Sequence, residues 1–226
     1  MTGKAIGQVL SFAVGVAISP IPIIAVVLML ATPRGRTNGP AFIAGWLVGL
    51  SVVGTIVLLA SSGADATTDT GPATWTEWLK IGLGALLALV AFKQWRGRPA
   101  TGTEAELPKW MATIDGFSPG KSAGTGALLA GVNPKNLLLT AGAAAAIAQT
   151  GASTGSQAAA LAVFVIIGTL GPGIPVAIYF TMGEKGTVLL ARLKTWMGLH
   201  NAAIMTVLCA VIAAKLLGDG ISGLSA

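Results

Sequence analysis

Long apolar stretches are the feature that most restricts what this chain can fold into. Six of them recur along its 226 residues. They cover residues 5–31, 39–62, 76–95, 123–148, 156–182 and 196–217. A helix of about 20 apolar residues crosses the roughly 30 Å of hydrocarbon in a bilayer. Only 10% of the residues are charged, against about a quarter in soluble domains. The sequence therefore predicts an all-α integral membrane protein with six transmembrane helices.

Positive charges are distributed unevenly between the two ends of these helices. The loops after helices one, three and five hold ten of the 14 Lys and Arg residues. The opposite side holds Lys4, Lys80 and Lys215, and Lys135 lies within a predicted span. Because cytoplasmic loops are enriched in Lys and Arg, both termini are predicted to be extracytoplasmic. The basic residues form no known nucleic-acid-binding motif, so we expect no nucleic acid partner.

The predicted helices fall into two groups of three, separated by the longest polar segment. We expect a first three-helix repeat at residues 1–95, a basic cytoplasmic linker at 96–122 and a second three-helix repeat at 123–226. Within the linker, apolar residues recur at helical spacing around Pro108: Leu107, Trp110, Met111, Ile114 and Phe117. They fit either a short helix on the cytoplasmic membrane surface or a loop that packs against the bundle.

Two proline motifs lie at corresponding places in helices one and four. A shift of 114 residues places Asn133-Pro134-Lys135-Asn136 on Ser19-Pro20-Ile21-Pro22. Proline removes a backbone donor and clashes with the preceding turn, so it interrupts a helix in a bilayer. Repeats of three helices insert in opposite orientations, which predicts a 3+3 inverted repeat with helices one and four broken near the midplane. The alternative is that these prolines only kink the helices for packing.

Matching breaks in two repeats indicate a transporter's substrate site, because opened half-helices present free N–H and C=O groups. The candidate substrate-binding residues are Ser19, Pro20, Pro22, Asn133, Pro134, Lys135 and Asn136. A second group, in helix five, is Gly171, Pro172, Gly173 and Pro175. Two glycines and two prolines in five residues predict an interrupted helix there. This segment fits a hinge, a turn that lines the substrate path, or close helix packing.

Lys135 is the ionisable residue nearest the predicted midplane, since all eight acids lie in loops or at span ends. A charged lysine at that depth costs about 2.5–3.5 kcal/mol unless it is paired or hydrated. Three interpretations follow: Lys135 binds an anionic group of the substrate, carries protons as a neutral amine, or is solvated by the carbonyls that Pro134 releases. Asn133 and Asn136 could hold a polar head group or cap the broken helix.

Few other chemically active groups lie in the predicted spans. His200 lies beside Trp196, where we expect a membrane-interface residue rather than a ligand, and Cys209 is the only cysteine. With one His, one Cys and no acid in the bilayer core, a metal site and paired-carboxylate catalysis both lack parts. We therefore expect no enzyme activity, no metal and no cofactor. No nucleotide-binding motif is present, so transport would draw on a gradient, a partner or the substrate's own concentration difference.

Three motifs together resemble a known family. The Ser-Pro-x-Pro break, the linker residues Pro108-Lys109-Trp110-Met111 with Ile114-Asp115, and the segment from Gly131 to Asn136 are similar to the GAP family. These are the glycopeptidolipid- and sulfolipid-addressing proteins of actinobacteria, within the LysE superfamily of exporters. The resemblance covers nearly the whole chain. It implies a multi-pass plasma membrane protein that helps move complex lipids or glycolipids toward the cell envelope, beside a larger lipid exporter or synthase.

The sequence therefore predicts a flippase-like transporter that moves a lipid-linked or other anionic substrate, such as a glycolipid or lipid precursor. One alternative is a LysE-type exporter of an amino acid or ion, which the absence of acids within the spans disfavours. Another is a non-transporting accessory subunit that recruits a larger lipid exporter through the basic linker. Membrane lipids are expected neighbours in each case, and the small residues at 141–146 would allow a homodimer.

Overall fold

The chain is built from helices. The computed structural model describes residues 2–65, 74–98 and 109–225. Helices α1 to α6 are Thr2–Ala17, Pro20–Leu30, Gly35–Asp65, Thr74–Arg96, Pro119–Gly131 and Pro134–Ala148. A 3₁₀ helix, Lys109–Gly116, precedes α5, and a last helical run covers Thr154–Leu224. The predicted all-α class is confirmed for these residues.

The last helical run reverses direction at Gly183. This glycine has a φ of +54° and a ψ of −132°, a conformation that residues with a Cβ rarely adopt. Both ends of the run lie beside the start of α1: Ser156 Oγ is 2.8 Å from Thr2 Oγ1, and Ser222 lines the same cavity as Lys4. We therefore name residues 154–182 α7 and residues 184–224 α8. The apolar stretches at 156–182 and 196–217 predicted a longer connection between these two helices. In the structure the chain reverses at a single glycine.

Length and apolarity identify the helical segments that can cross a membrane. They are Gly35–Ser61, Glu77–Arg96 and the run Thr154–Leu224, with α1 and α2 as a further pair that is bent by 51°. The described part of the chain is therefore all-helical and membrane-embedded. It has three candidate spans when the run Thr154–Leu224 is counted once, or four when the bent pair is added as one further span. The count of six transmembrane helices stays a prediction.

Glycines bring α3 and α5 into close contact. A Cβ added at Gly45 would lie 1.8 Å from the Ala123 carbonyl oxygen. A Cβ at Gly126 would lie 2.2 Å from the Phe42 carbonyl oxygen. Small residues commonly allow such approach between membrane helices, where apolar burial gives little driving force for association. These glycines therefore let α3 and α5 cross with their backbones in contact.

The other helices pack against one another in further pairs. Helix α4 lies along α8, where a Cβ at Gly220 would meet the Ile81 side chain at 2.7 Å. Helix α1 contacts α6, where the Phe12 ring covers Gly142. The small residues at 141–146 include Ala143, Ala144 and Ala145, each 0% exposed. In this structure the run therefore makes contacts within one chain, and the homodimer stays a prediction.

The described part of the linker packs against the bundle. Met111 and Ile114 of the 3₁₀ helix are buried, and the Phe117 carbonyl accepts a hydrogen bond from Asn38 Nδ2 at 3.1 Å. Leu107 and Pro108, which belong to the predicted interfacial helix, lie outside the described residues. The apolar spacing in this segment therefore corresponds to one short 3₁₀ helix with two buried side chains.

Candidate functional site

The first helix break lies between α1 and α2. Pro20 has no N–H, so the Val16 carbonyl loses the donor that a continuous helix would supply. Ser19 is extended, with φ −78° and ψ 112°, as expected for a residue before proline. Its N–H donates to the Val16 carbonyl at 3.2 Å. The Gly15 carbonyl therefore loses its own helical donor, which would have been the Ser19 N–H.

The second break, between α5 and α6, repeats this arrangement. Pro134 begins α6 as Pro20 begins α2, 114 residues earlier. Asn133 precedes it with φ −58° and ψ 121°, and its Oδ1 caps α6 by accepting from the Lys135 N–H at 3.1 Å. The Asn133 N–H donates to the Leu128 carbonyl at 3.2 Å, so the Leu129 carbonyl loses its helical donor. Leu129 occupies the position equivalent to Gly15 in the same 114-residue register.

Side chains from the second motif bond to both of these carbonyls. Lys135 Nζ donates to the Gly15 carbonyl at 2.7 Å. Asn136 Nδ2 donates to the Leu129 carbonyl at 2.9 Å, and its Oδ1 accepts from Ser19 Oγ at 2.9 Å. Two of these three bonds connect the first half of the chain to the second. The two breaks therefore form a single polar contact.

This contact is buried and contains no carboxylate. Lys135 and Ser19 are each 3% exposed, and Asn136 is 0% exposed. The ion pairs formed within the described ranges are Glu77 with Lys80 and Asp219 with Lys215, so neither includes Lys135. Its ammonium lies at the C-terminal end of α1, where the helix dipole carries partial negative charge. The carbonyl that accepts from Lys135 thus belongs to the opposite half, whereas one of the three sequence interpretations placed the amine among the carbonyls released by Pro134.

The three prolines differ in their environment. Pro20 and Pro22 are buried in the first turn of α2, where backbone N–H groups have no partner within the helix, so proline removes no bond from α2 itself. Pro134 is exposed. The positions equivalent to Lys135 and Asn136 in the first half are Ile21 and Pro22, whose side chains carry no hydrogen-bond donor. The polar contact is therefore asymmetric, because the second half supplies the side chains that bond to both freed carbonyls.

The segment from Gly171 to Pro175 remains helical, so the predicted interruption is wrong. Within the last helical run, the non-helical backbone angles occur at Gly183. A Cβ at Gly171 would lie 1.9 Å from the Ala17 carbonyl oxygen, whereas one at Gly173 would meet its first neighbour at 4.0 Å. Pro172 and Pro175 are buried. Gly171 therefore allows α7 to pack directly against the end of α1, beside the first break.

His200 lies apart from this contact. It is exposed, its ring stacks on Trp196 with centroids 4.7 Å apart, and its Nδ1 is 2.8 Å from the Trp196 carbonyl oxygen. These contacts lie within one turn of α8, so the structure gives His200 no link to either break.

A polar cavity of about 280 Å³ opens near the start of α1. Side chains from four helices line it, among them Lys4, Gln8, Lys80, Gln149, Asp219 and Ser222. The sequence interpretation did not identify this cavity, since its residues come from distant parts of the chain. One signal was present: Lys4 and Gln8 are four residues apart on one face of the otherwise apolar α1.

The fold and this site define an all-helical, membrane-embedded protein in which the α1–α2 and α5–α6 junctions meet at a buried lysine. The chain belongs to the SfLAP family, described as Sap, sulfolipid-1-addressing protein, whose sequence model matches residues 9–222. The predicted family relationship is thereby confirmed. Comparisons with curated proteins and with solved structures gave no significant match.

Proposed function

We propose that this protein is a six-span transporter of the plasma membrane that moves an anionic lipid, such as a sulfated glycolipid, toward the cell envelope. Its family is described by the addressing of a sulfolipid, which supports a role in lipid handling. In the proposed arrangement α1 with α2 and α5 with α6 are two broken spans. Helices α3, α4, α7 and α8 are the other four. The basic linker then faces the cytoplasm and both termini face outward.

Packing between the halves supports an inverted repeat. The breaks begin after Ala17 and Gly131, which are 114 residues apart, as are the prolines that start α2 and α6. Helix α3 of the first half crosses α5 of the second, and α7 of the second half packs on α1 of the first. Such reciprocal packing is expected for two units related by a two-fold axis. Because each unit has three spans, the axis would lie in the membrane plane.

Helix lengths support a depth near the bilayer centre for both breaks. At 1.5 Å per residue, α1 and α6 extend roughly 24 and 22 Å from the breaks toward the end of the bundle that holds Lys4. On the same scale α2 and α5 extend roughly 16 and 20 Å toward the opposite end. The breaks are then at similar depths, some distance from both surfaces.

The observation that carries the proposal is the bond from Lys135 Nζ to the Gly15 carbonyl across the two halves. Separation of the halves would break this bond and the Ser19–Asn136 bond. Together these bonds favour the closed form by about 2–4 kcal/mol, which leaves the open form populated at roughly a few per cent or less. In the open form, the ammonium is free to bind an anionic lipid group. The substrate thus replaces the carbonyl and favours the open form, as alternating access requires.

This mechanism unites two of the sequence interpretations of Lys135. The residue connects the halves when substrate is absent and binds the anionic group when substrate is present. A cationic solute would be repelled by the same ammonium, which disfavours a LysE-type exporter of lysine or metal ions. The lipid would be received from, or delivered to, a larger exporter or synthase.

Transport in liposomes tests the proposal. The purified protein is reconstituted with fluorescent sulfated galactosylceramide or its uncharged parent, and an impermeant quencher measures movement between leaflets. We expect the wild type to move the sulfated lipid at least tenfold faster than the uncharged one. Lys135→Met should reduce this rate at least tenfold, because Met keeps the side-chain length without the charge. Lys121→Met, which removes an exposed lysine of α5, is the matched control and should retain the rate.

The outcomes separate the alternatives. If the folded wild type moves neither lipid, the chain does not transport lipid alone, and an accessory role is favoured. If Lys135→Met transports as fast as the wild type, the proposed role of the buried lysine is wrong.

A further inference from the structure

The polar cavity at the start of α1 contains chemistry that the buried contact does not use. Its walls come from α1, α4, α6 and α8, and they carry Lys4, Gln8, Lys80, Gln149, Asp219 and Ser222. Its volume of about 280 Å³ is close to the lower end of the range of roughly 300–1,000 Å³ for small-molecule sites. A sugar head group fits such a volume, whereas the chains of a lipid would remain outside.

Charges around the cavity leave one cation without an ionic partner. Lys80 Nζ lies 3.0 Å from Glu77 Oε2, and Gln149 Nε2 donates to Glu77 Oε1 at 3.1 Å. Asp219 Oδ2 is 2.5 Å from Lys215 Nζ, outside the lining. Both carboxylates are thus neutralised by a lysine. Neither of these ion pairs, which are the ones formed in the described segments, includes Lys4, so the cavity has an excess of positive charge.

The uncharged lining groups are suited to hydroxyls. Gln8 and Gln149 each carry an amide donor and acceptor, and Ser222 carries a hydroxyl. Together with Lys4 they match a ligand that combines one anionic group with several sugar hydroxyls. An apolar ligand would leave these polar groups without partners at a free-energy cost.

The cavity lies on the same helix pair as the buried contact. Phe12, which is 1% exposed, lies at the cavity wall and covers Gly142, where a Cβ would lie 3.0 Å from the ring. Gly15 follows three residues later on α1, which is roughly 4.5 Å along the helix axis. Along α1, Phe12 therefore lies between the cavity residues Lys4 and Gln8 and the Gly15 carbonyl that accepts from Lys135.

We infer that this cavity binds the anionic, hydroxyl-rich head group of a glycolipid, with Lys4 as the residue that contacts its charge. The inference rests on the proposed function, since it assigns a head-group site on the extracytoplasmic side of the same path. Bound there, the head group would lie next to Phe12 and outside the buried contact, as a lipid does before entry or after release.

Binding measurements separate this inference from the transport proposal. The full chain in uncharged phosphatidylcholine nanodiscs is titrated with sulfated galactosylceramide and with galactosylceramide, and bound lipid is counted by native mass spectrometry. Lys4→Gln should weaken binding of the sulfated lipid about tenfold, as expected for loss of a charge-assisted hydrogen bond. Lys185→Gln, which removes an exposed lysine of α8 outside the cavity, should leave binding unchanged. Thermal unfolding of each variant checks that it is folded.

Each result supports or overturns the site. Equal binding by Lys4→Gln and the wild type would overturn it, even if transport requires Lys135. Binding that depends on Lys4 would support it, even if no lipid is moved. Soluble galactose 3-sulfate and inorganic sulfate are then used as competitors. Stronger competition by the sugar sulfate supports a head-group site, whereas equal competition would overturn it in favour of a simple anion site.

Discussion

Substitution of Lys135 by Met should destabilise the contact between the two halves. The ammonium donates to the Gly15 carbonyl at 2.7 Å, and Met provides a side chain of similar length without a donor. A charge-assisted bond contributes about 1.5–3 kcal/mol, and its loss leaves the carbonyl without a partner. The variant no longer buries a charge, and this relief offsets part of the loss. We therefore expect a net decrease of about 1–2 kcal/mol in the free energy of unfolding.

Reversible unfolding in bicelles or mixed micelles measures this free energy. Lys121→Met is the control, since Lys121 is exposed and its side chain should contribute little. A double-mutant cycle with Ser19→Ala then tests whether the two bonds between the halves act together, with a coupling energy of about 0.5–3 kcal/mol expected for groups in one network. A Lys135→Met variant at least as stable as the wild type would refute the reasoning, because burial of the charge would then cost more than its bond contributes.

Three further substitutions, each compared with a control, test the contact and the helices around it. Ser19→Ala should lower the free energy of unfolding by about 1 kcal/mol, because it removes the hydroxyl that donates to Asn136 Oδ1. Ser122→Ala should be nearly neutral, since that buried hydroxyl has no hydrogen-bond partner. Gly171→Ala should lower the free energy of unfolding by about 1–3 kcal/mol, because its Cβ would overlap the end of α1. It should also slow transport. Gly173→Ala, whose Cβ would meet the Thr169 side chain at an ordinary contact distance of 4.0 Å, should be neutral or slightly stabilising. Gly183→Ala should lower the free energy of unfolding by about 1–3 kcal/mol, because a residue with a Cβ is strained at the φ of 54° found there.

The same unfolding assay applies to these variants, and liposome transport gives a second measurement. Equal losses for the two serine variants would contradict the proposed bond across the breaks. A Gly171→Ala variant as stable as Gly173→Ala would contradict the close approach of α7 to α1. Gly198 is helical with open space around its Cα, so Gly198→Ala is the control for Gly183→Ala and should be at least as stable as the wild type.

Some features follow from local chemistry. Helices α2 and α6 begin at Pro20 and Pro134, where a residue without an N–H removes no bond within the helix, although Pro172 and Pro175 lie inside α7. The apolar stretches became helices because every backbone polar group must be bonded internally in lipid. The family relationship could be predicted because the residues that carried the resemblance, such as the segment from Gly131 to Asn136, are contiguous in the chain.

Local composition was misleading where packing decided the outcome. Gly171 and its neighbours were predicted to interrupt α7, yet the helix continues there. Contact with α1 favours a straight helix at this point, because the glycine allows the two backbones to approach. The reversal occurs instead at Gly183, where no atom of another helix lies within 4 Å of the position that a Cβ would occupy. Composition alone did not distinguish these two glycines, since their difference lies in the neighbouring helix.

By itself, the sequence determined the all-helical class and the family, because these depend on covalent properties of nearby residues. Only the tertiary structure decided which groups the breaks bring together. Lys135 bonds to a carbonyl 120 residues away, and the cavity beside Lys4 combines four helices. A freed carbonyl accepts from whichever donor packing places within about 3 Å. That distance depends on how the helices cross, which no local pattern in the sequence specifies.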